Sequence, residues 1–160
     1  MTHAQISQRL PVIACIIAAL MLAIVPMPNW ASLFRPDWLA LTLIYWAMML
    51  PRTYSVGTAW IVGIVLDDAQ GTLLGQHAIA LCVVVYITVK FHLQLRVFPI
   101  SQMSVTVFVI LAFYQFILFW INGVAGINAP AVTYWGPVVM DALIWPLLTL
   151  FFTSVYYRVK

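Results

Sequence analysis

Charge is the scarcest commodity in this chain. Of 160 residues, 7% are charged and 65% are hydrophobic, whereas a soluble domain carries about 25% charge. A chain so short of polar surface cannot face water on its own, so an integral membrane protein is expected. Glutamate is missing altogether. The acids are four aspartates, Asp37, Asp67, Asp68 and Asp141. With no paired glutamates, no nucleophile–base pair and no glycine-rich phosphate loop, nothing resembles an enzyme active site. Cysteine is limited to Cys15 and Cys82, both inside apolar runs, where they read as small buried hydrophobes. No CxxC or Cys/His cluster is present to hold a metal. His77 and His92 stand isolated, and no cofactor is expected. The seven basic residues are scattered singly; without a basic patch to track phosphates, nucleic-acid binding is not expected.

What is present is a regular alternation. Arg9, Arg52, Lys90, Arg96, Arg158 and Lys160 punctuate long apolar runs. With a cytoplasmic N-terminus and six spans, all six fall on the cytoplasmic side and only Arg35 falls outside, as the positive-inside rule requires. A bilayer crossing takes about 20 apolar residues. The punctuation predicts one all-α membrane domain, a six-transmembrane-helix bundle over residues 1–160, with spans at 11–28, 37–50, 53–72, 76–97, 102–121 and 134–157. Leu10 to Trp30 is uncharged over 21 residues. That exceeds a signal-peptide core, and no small-residue cleavage site follows, so it is taken as the first span. Val97 to Met140 is uncharged over 44 residues, too long for one span, and the turn signals between Asn122 and Pro130 divide it. Spans two and three are short. Arg52 is separated from Asp37 on one side and from Asp67 on the other by only 14 uncharged residues. They can cross only if protein shields their charged ends or the bilayer thins.

The aspartates are the residues most informative about function. One at the centre of a spanning helix costs about 2.5–3.5 kcal/mol, so depth matters. Asp67 lies 15 residues beyond Arg52, about 22 Å along a helix. In a core about 30 Å thick this is roughly 8 Å below the outer surface. Asp141 comes seven residues after Tyr134, about 10 Å in from the same side. The functional reading is a polar site at the outer end, made of Arg35, Asp37, Asp67 and Asp141, with Arg35 the natural partner of one acid. The plainer reading is that the acids make structural hydrogen bonds or reach water near the interface. Asp68, about 100° around the helix from Asp67, is expected to face headgroups or a loop. Ala59 and Gly63, four apart, form a small-residue surface for close helix packing. Arg52, Lys90 and Arg96 are candidates for contact with cytoplasmic partners or anionic lipid.

The ordered series of short motifs carries a resemblance. Arg35-Pro36-Asp37-Trp38 opens span two, Tyr45-Trp46 lies within it and Leu50-Pro51 closes it. Val56-Gly57-Thr58, Gly63, Leu66-Asp67, Gly71-Thr72-Leu73-Leu74-Gly75 and Ala78 follow, with Trp145-Pro146 near the end. Over nearly the whole chain this resembles the rod shape-determining protein MreD family of Gram-negative bacteria. The resemblance implies a non-enzymatic inner-membrane component of the cell-elongation machinery. Its implied partners are MreC, MreB and the peptidoglycan synthase pair of RodA and penicillin-binding protein 2, together with membrane lipids. It also implies a distant likeness to the substrate-binding subunits of vitamin transporters, and with it a compact bundle whose cavity opens to the outer face. A scaffold and a small-molecule-binding or transport subunit therefore both stand as readings.

Overall fold

A computed structural model describes residues 3–26, 28, 34–127 and 131–159. Among them are seven helices and no strand: α1 (His3–Ile24), α2 (Trp38–Met49), α3 (Val56–Gln70), α4 (Gln76–Lys90), α5 (His92–Val97), α6 (Ile100–Val124) and α7 (Ala131–Val159). The segments Ile100–Val124 and Tyr134–Tyr157 are long and apolar enough to cross a membrane by length and composition; Leu10–Ile24, Trp38–Met49 and Gln76–Lys90 are apolar but shorter.

Helix α2 sits at the centre. Every residue from Leu39 to Met48 is buried, the pattern of a helix apolar all round. At 12 residues it is only about 18 Å long, and α1, α4, α5 and α7 pack against it. Its ends are closed by protein. Arg96 of α5 reaches across to the carbonyls of Met48 (3.0 Å) and Met49, where the negative end of the helix dipole favours a cation. At the other end the Asp37 carboxylate accepts from Gln115 of α6. The Asp37 end of this short segment is thus held within the fold, whereas Arg52 beyond the other end is exposed.

Helices α3 and α4 form an antiparallel hairpin. Gly63 makes it close: a Cβ there would land on the Ala78 backbone, 2.7 Å from its nitrogen. The turn between them depends on two left-handed glycines, Gly71 (φ 64°) and Gly75 (φ 96°), conformations that cost other residues free energy. The expected fourth span, 76–97, is two helices. It breaks at Phe91, where His92 Nδ1 bonds the Val89 carbonyl at 2.6 Å, one of the local side-chain bonds that compete with the helical ladder. Helix α6 packs along α7, and α7 carries Pro137 and Pro146 in its interior.

Polarity runs inside out. Large apolar residues are exposed on α1, α3, α4, α5, α6 and α7, while Thr42, Asp67, Gln76, Thr88, Gln115 and Asp141 are buried. An apolar exterior around buried polar groups suits a lipid solvent, in which every polar group must find its partner within the protein.

Candidate functional site

The polar side chains gather at one end of the bundle, where α1 and α3 finish and α2 and α4 begin. Asp67, in the last turn of α3, is fully buried and spans the hairpin turn. Its Oδ1 accepts from the Thr72 hydroxyl at 2.9 Å, the His77 backbone N–H at 3.1 Å and His77 Nδ1 at 2.6 Å. Its Oδ2 accepts from the backbone N–H groups of Gly75 (2.9 Å) and Ala78 (3.4 Å). The first N–H groups of a helix have no partner within it, and an anion there also meets the positive dipole end. Asp67 does for α4 what a capping residue does, from a different helix. Because the carboxylate can only accept, His77 Nδ1 carries the proton.

The second acid group lies between α2 and α7. Asp141, also fully buried, accepts the Asp37 backbone N–H on Oδ1 at 2.8 Å, and its Oδ2 has no protein partner. The Asp37 carboxylate accepts from Gln115, itself buried. Beside them a cavity of about 250 Å³ is lined by Arg35, Asp37, Gln70, Gln76, His77, Tyr114, Gln115 and Asn122 among others.

Of the residues expected at the site, Asp37 and Asp141 meet directly, and Asp67 stands at the same end on its own network. Arg35 differs from expectation. It makes no ion pair with an aspartate; its guanidinium bonds the carbonyls of Leu22 (3.0 Å) and Ala23 at the end of α1. A single planar guanidinium serves two free carbonyls of a helix terminus. Among the described residues the contact within 4 Å between a basic side chain and a carboxylate is that of His77 with Asp67. Asp68 is exposed. Of the cations expected to contact partners or lipid, Arg52 and Lys90 are exposed, whereas Arg96 is engaged in holding the end of α2. His77, Gln76 and Gln115 were not picked out from sequence. The available signal was a polar residue beside or within an uncharged run: Gln115 sits inside the longest one.

An all-helical architecture with an apolar exterior and a buried polar end defines the class, a membrane protein. Residues 5–155 match the family described as rod shape-determining protein MreD, and the chain belongs to that family. It is 26% identical over 158 residues to the rod shape-determining protein MreD of Haemophilus influenzae, covering 97% of this chain and 96% of that one. No solved structure matches.

Proposed function

We propose that this chain crosses the bacterial inner membrane six times with both termini cytoplasmic, and acts as a non-enzymatic scaffold of the cell-elongation complex. In this reading α1, α2, α3, α4 with α5, α6 and α7 are the six crossings. MreC is the most direct partner, and MreB and the pair of RodA and penicillin-binding protein 2 belong to the same assembly. The observation that carries the reading is the family match over residues 5–155. Two further features support it. The connections between helices are too short to fold into a docking domain, so partners must meet helix faces and turns. The exposed faces of six helices are apolar, which suits helix–helix association within lipid.

Purification of the tagged protein in mild detergent tests the assignment. Shape proteins should co-purify. Recovery of an ATPase module in their place would overturn the scaffold in favour of a transport subunit, the second reading, which the polar cavity beside Asp37 favours.

A further inference from the structure

Two residues that line the cavity at the polar end each carry a buried polar atom without a partner among the described residues. One is a donor, the indole Nε1 of Trp38; the other is an acceptor, the Oε1 of Gln76. A buried polar group left unpaired loses more than an average hydrogen bond gains, so an occupant that satisfies both is favoured. The rest of the lining also offers both kinds of group. Arg35 bonds the end of α1 through Nη2, so the N–H groups of Nε and Nη1 are not used there. Tyr134 accepts from Asn122 Nδ2 at 2.9 Å, which leaves its own hydroxyl proton to donate. Among the acceptors, His77 holds its Nδ1 proton against Asp67, so Nε2 accepts in the neutral ring. Gln115 gives its Nε2 to the Asp37 carboxylate, which turns its oxygen away from that bond. Formal charge in the lining is balanced, Arg35 against Asp37.

A ligand here must therefore be neutral and must both donate and accept, as hydroxyl groups do. The walls add a second requirement. Trp38, Tyr114 and Tyr134 supply aromatic surface, and Leu39, Leu66 and Leu118 supply aliphatic surface. Water would satisfy the polar groups but leave that surface hydrated, which is unfavourable. A compact polyol meets both demands, with hydroxyls at its edges and C–H groups on its faces. We propose that this cavity binds a neutral polyhydroxylated group, the size of one sugar ring or a glycerol moiety. At about 250 Å³ the space falls below the roughly 300–1,000 Å³ of drug-sized sites, which excludes an oligosaccharide. The inference uses the cavity that the second reading invokes but requires no transport, and it is compatible with the scaffold.

The source of the hydroxyls, a lipid headgroup or a free sugar, is separable by experiment. The full-length protein is placed in nanodiscs of phosphatidylethanolamine doped with equal amounts of phosphatidylglycerol and phosphatidylpropanol. These two lipids share their charge and differ in the headgroup hydroxyls. Native mass spectrometry reads the lipid retained after mild delipidation. Phosphatidylglycerol should be retained about tenfold more if the site takes a headgroup, with no mutation involved. In a second arm, tritiated glucose is added to the protein in phosphatidylethanolamine alone, and bound label that excess unlabelled glucose displaces assigns a free sugar. Trp38→Phe keeps a ring and removes the N–H; Gln76→Met keeps the length and removes both polar atoms. Each should reduce the positive signal severalfold, and Arg52→Gln, at the opposite end, should not. Equal retention of the two lipids with no displaceable glucose overturns the proposal and leaves the cavity to solvent. A signal unchanged in both cavity variants also overturns it, as does displacement of the bound probe by equimolar ethanolamine or inorganic phosphate, which would make the ligand class a charged one. Co-purification of shape proteins is read separately, so a failed ligand test leaves the scaffold assignment standing.

Discussion

Asp67 shows what a single side chain does in a solvent that offers no hydrogen bonds. Its carboxylate receives donors from Thr72, Gly75, His77 and Ala78, and removing it strands buried N–H groups at the start of α4. Asp67→Leu should cost about 3–5 kcal/mol, the range for deleting one member of a buried charged network, and should lower abundance in membranes. Asp67→Asn should also destabilise, by about 1–3 kcal/mol, because its NH₂ must face donors at one of the two oxygen positions. Thermal unfolding in detergent and immunoblotting check both. An asparagine variant as stable as the parent would show that the charge and the second acceptor are unimportant. The spacing from Arg52 set an expectation for the height of Asp67 along its helix, and its partners could not be read from it. Spacing along one helix gives height and says nothing about which neighbour stands opposite. Arg35 seemed the natural partner because it is the sole cation at that end, yet the free carbonyls of α1 hold it. His77 looked isolated because its bond to Asp67 crosses a turn formed by two left-handed glycines.

Elements are fixed to one another by close contacts and by cations at helix ends, and these separate experimentally. Gly63 leaves no room for a methyl against Ala78, so Gly63→Ala should push α3 from α4 at about 1–3 kcal/mol, the usual cost of overpacking. Gly57→Ala, in the same helix with nothing within 4 Å of the added carbon, should be neutral or slightly stabilising through helix propensity. Equal midpoints for the two variants in a thermal melt would refute the packing argument. The small-residue pattern of Ala59 and Gly63 was readable in sequence, although its partner helix was not. The basic residues divide in a similar way. Arg96→Gln removes the bonds to Met48 and Met49 and should cost about 1.5–3 kcal/mol, as for hydrogen bonds to charged groups. Lys90→Gln on an exposed site should stay within about ±0.5 kcal/mol. Both cations look alike in sequence, where each follows an apolar run. The break at Phe91, which brings Arg96 back over the end of α2, was hidden because the residues around it remain helix-compatible on both sides.

At the scale of the whole molecule, the distribution of cations and the position of the polar end bear on one question, which way the chain lies in the membrane. Arg52, Lys90 and Arg96 lie at the end opposite the hairpin turn of α3 and α4, and on the proposed topology that turn faces the periplasm. Only α4 separates the turn from α5, so two positions report on a single crossing. Leu74 in the turn is 75% exposed, and Gln94 in α5 is exposed beside the buried Leu95. With the half-buried Cys15 and Cys82 replaced by alanine, Leu74→Cys should react with a membrane-impermeant thiol reagent added to intact spheroplasts. Gln94→Cys should react only after the membrane is opened. Helix α4 is only 15 residues long, about 22 Å by helix rise, short of a core about 30 Å thick. Its crossing therefore relies on the bundle around it, so the result is a real test of the architecture. Reaction of both cysteines in intact spheroplasts would mean that α4 does not cross, and the six-span arrangement would fall. Reaction of Gln94→Cys alone would keep the crossing but invert the molecule, setting the cation distribution against the positive-inside rule and placing the polar cavity beside Asp37 on the cytoplasmic side.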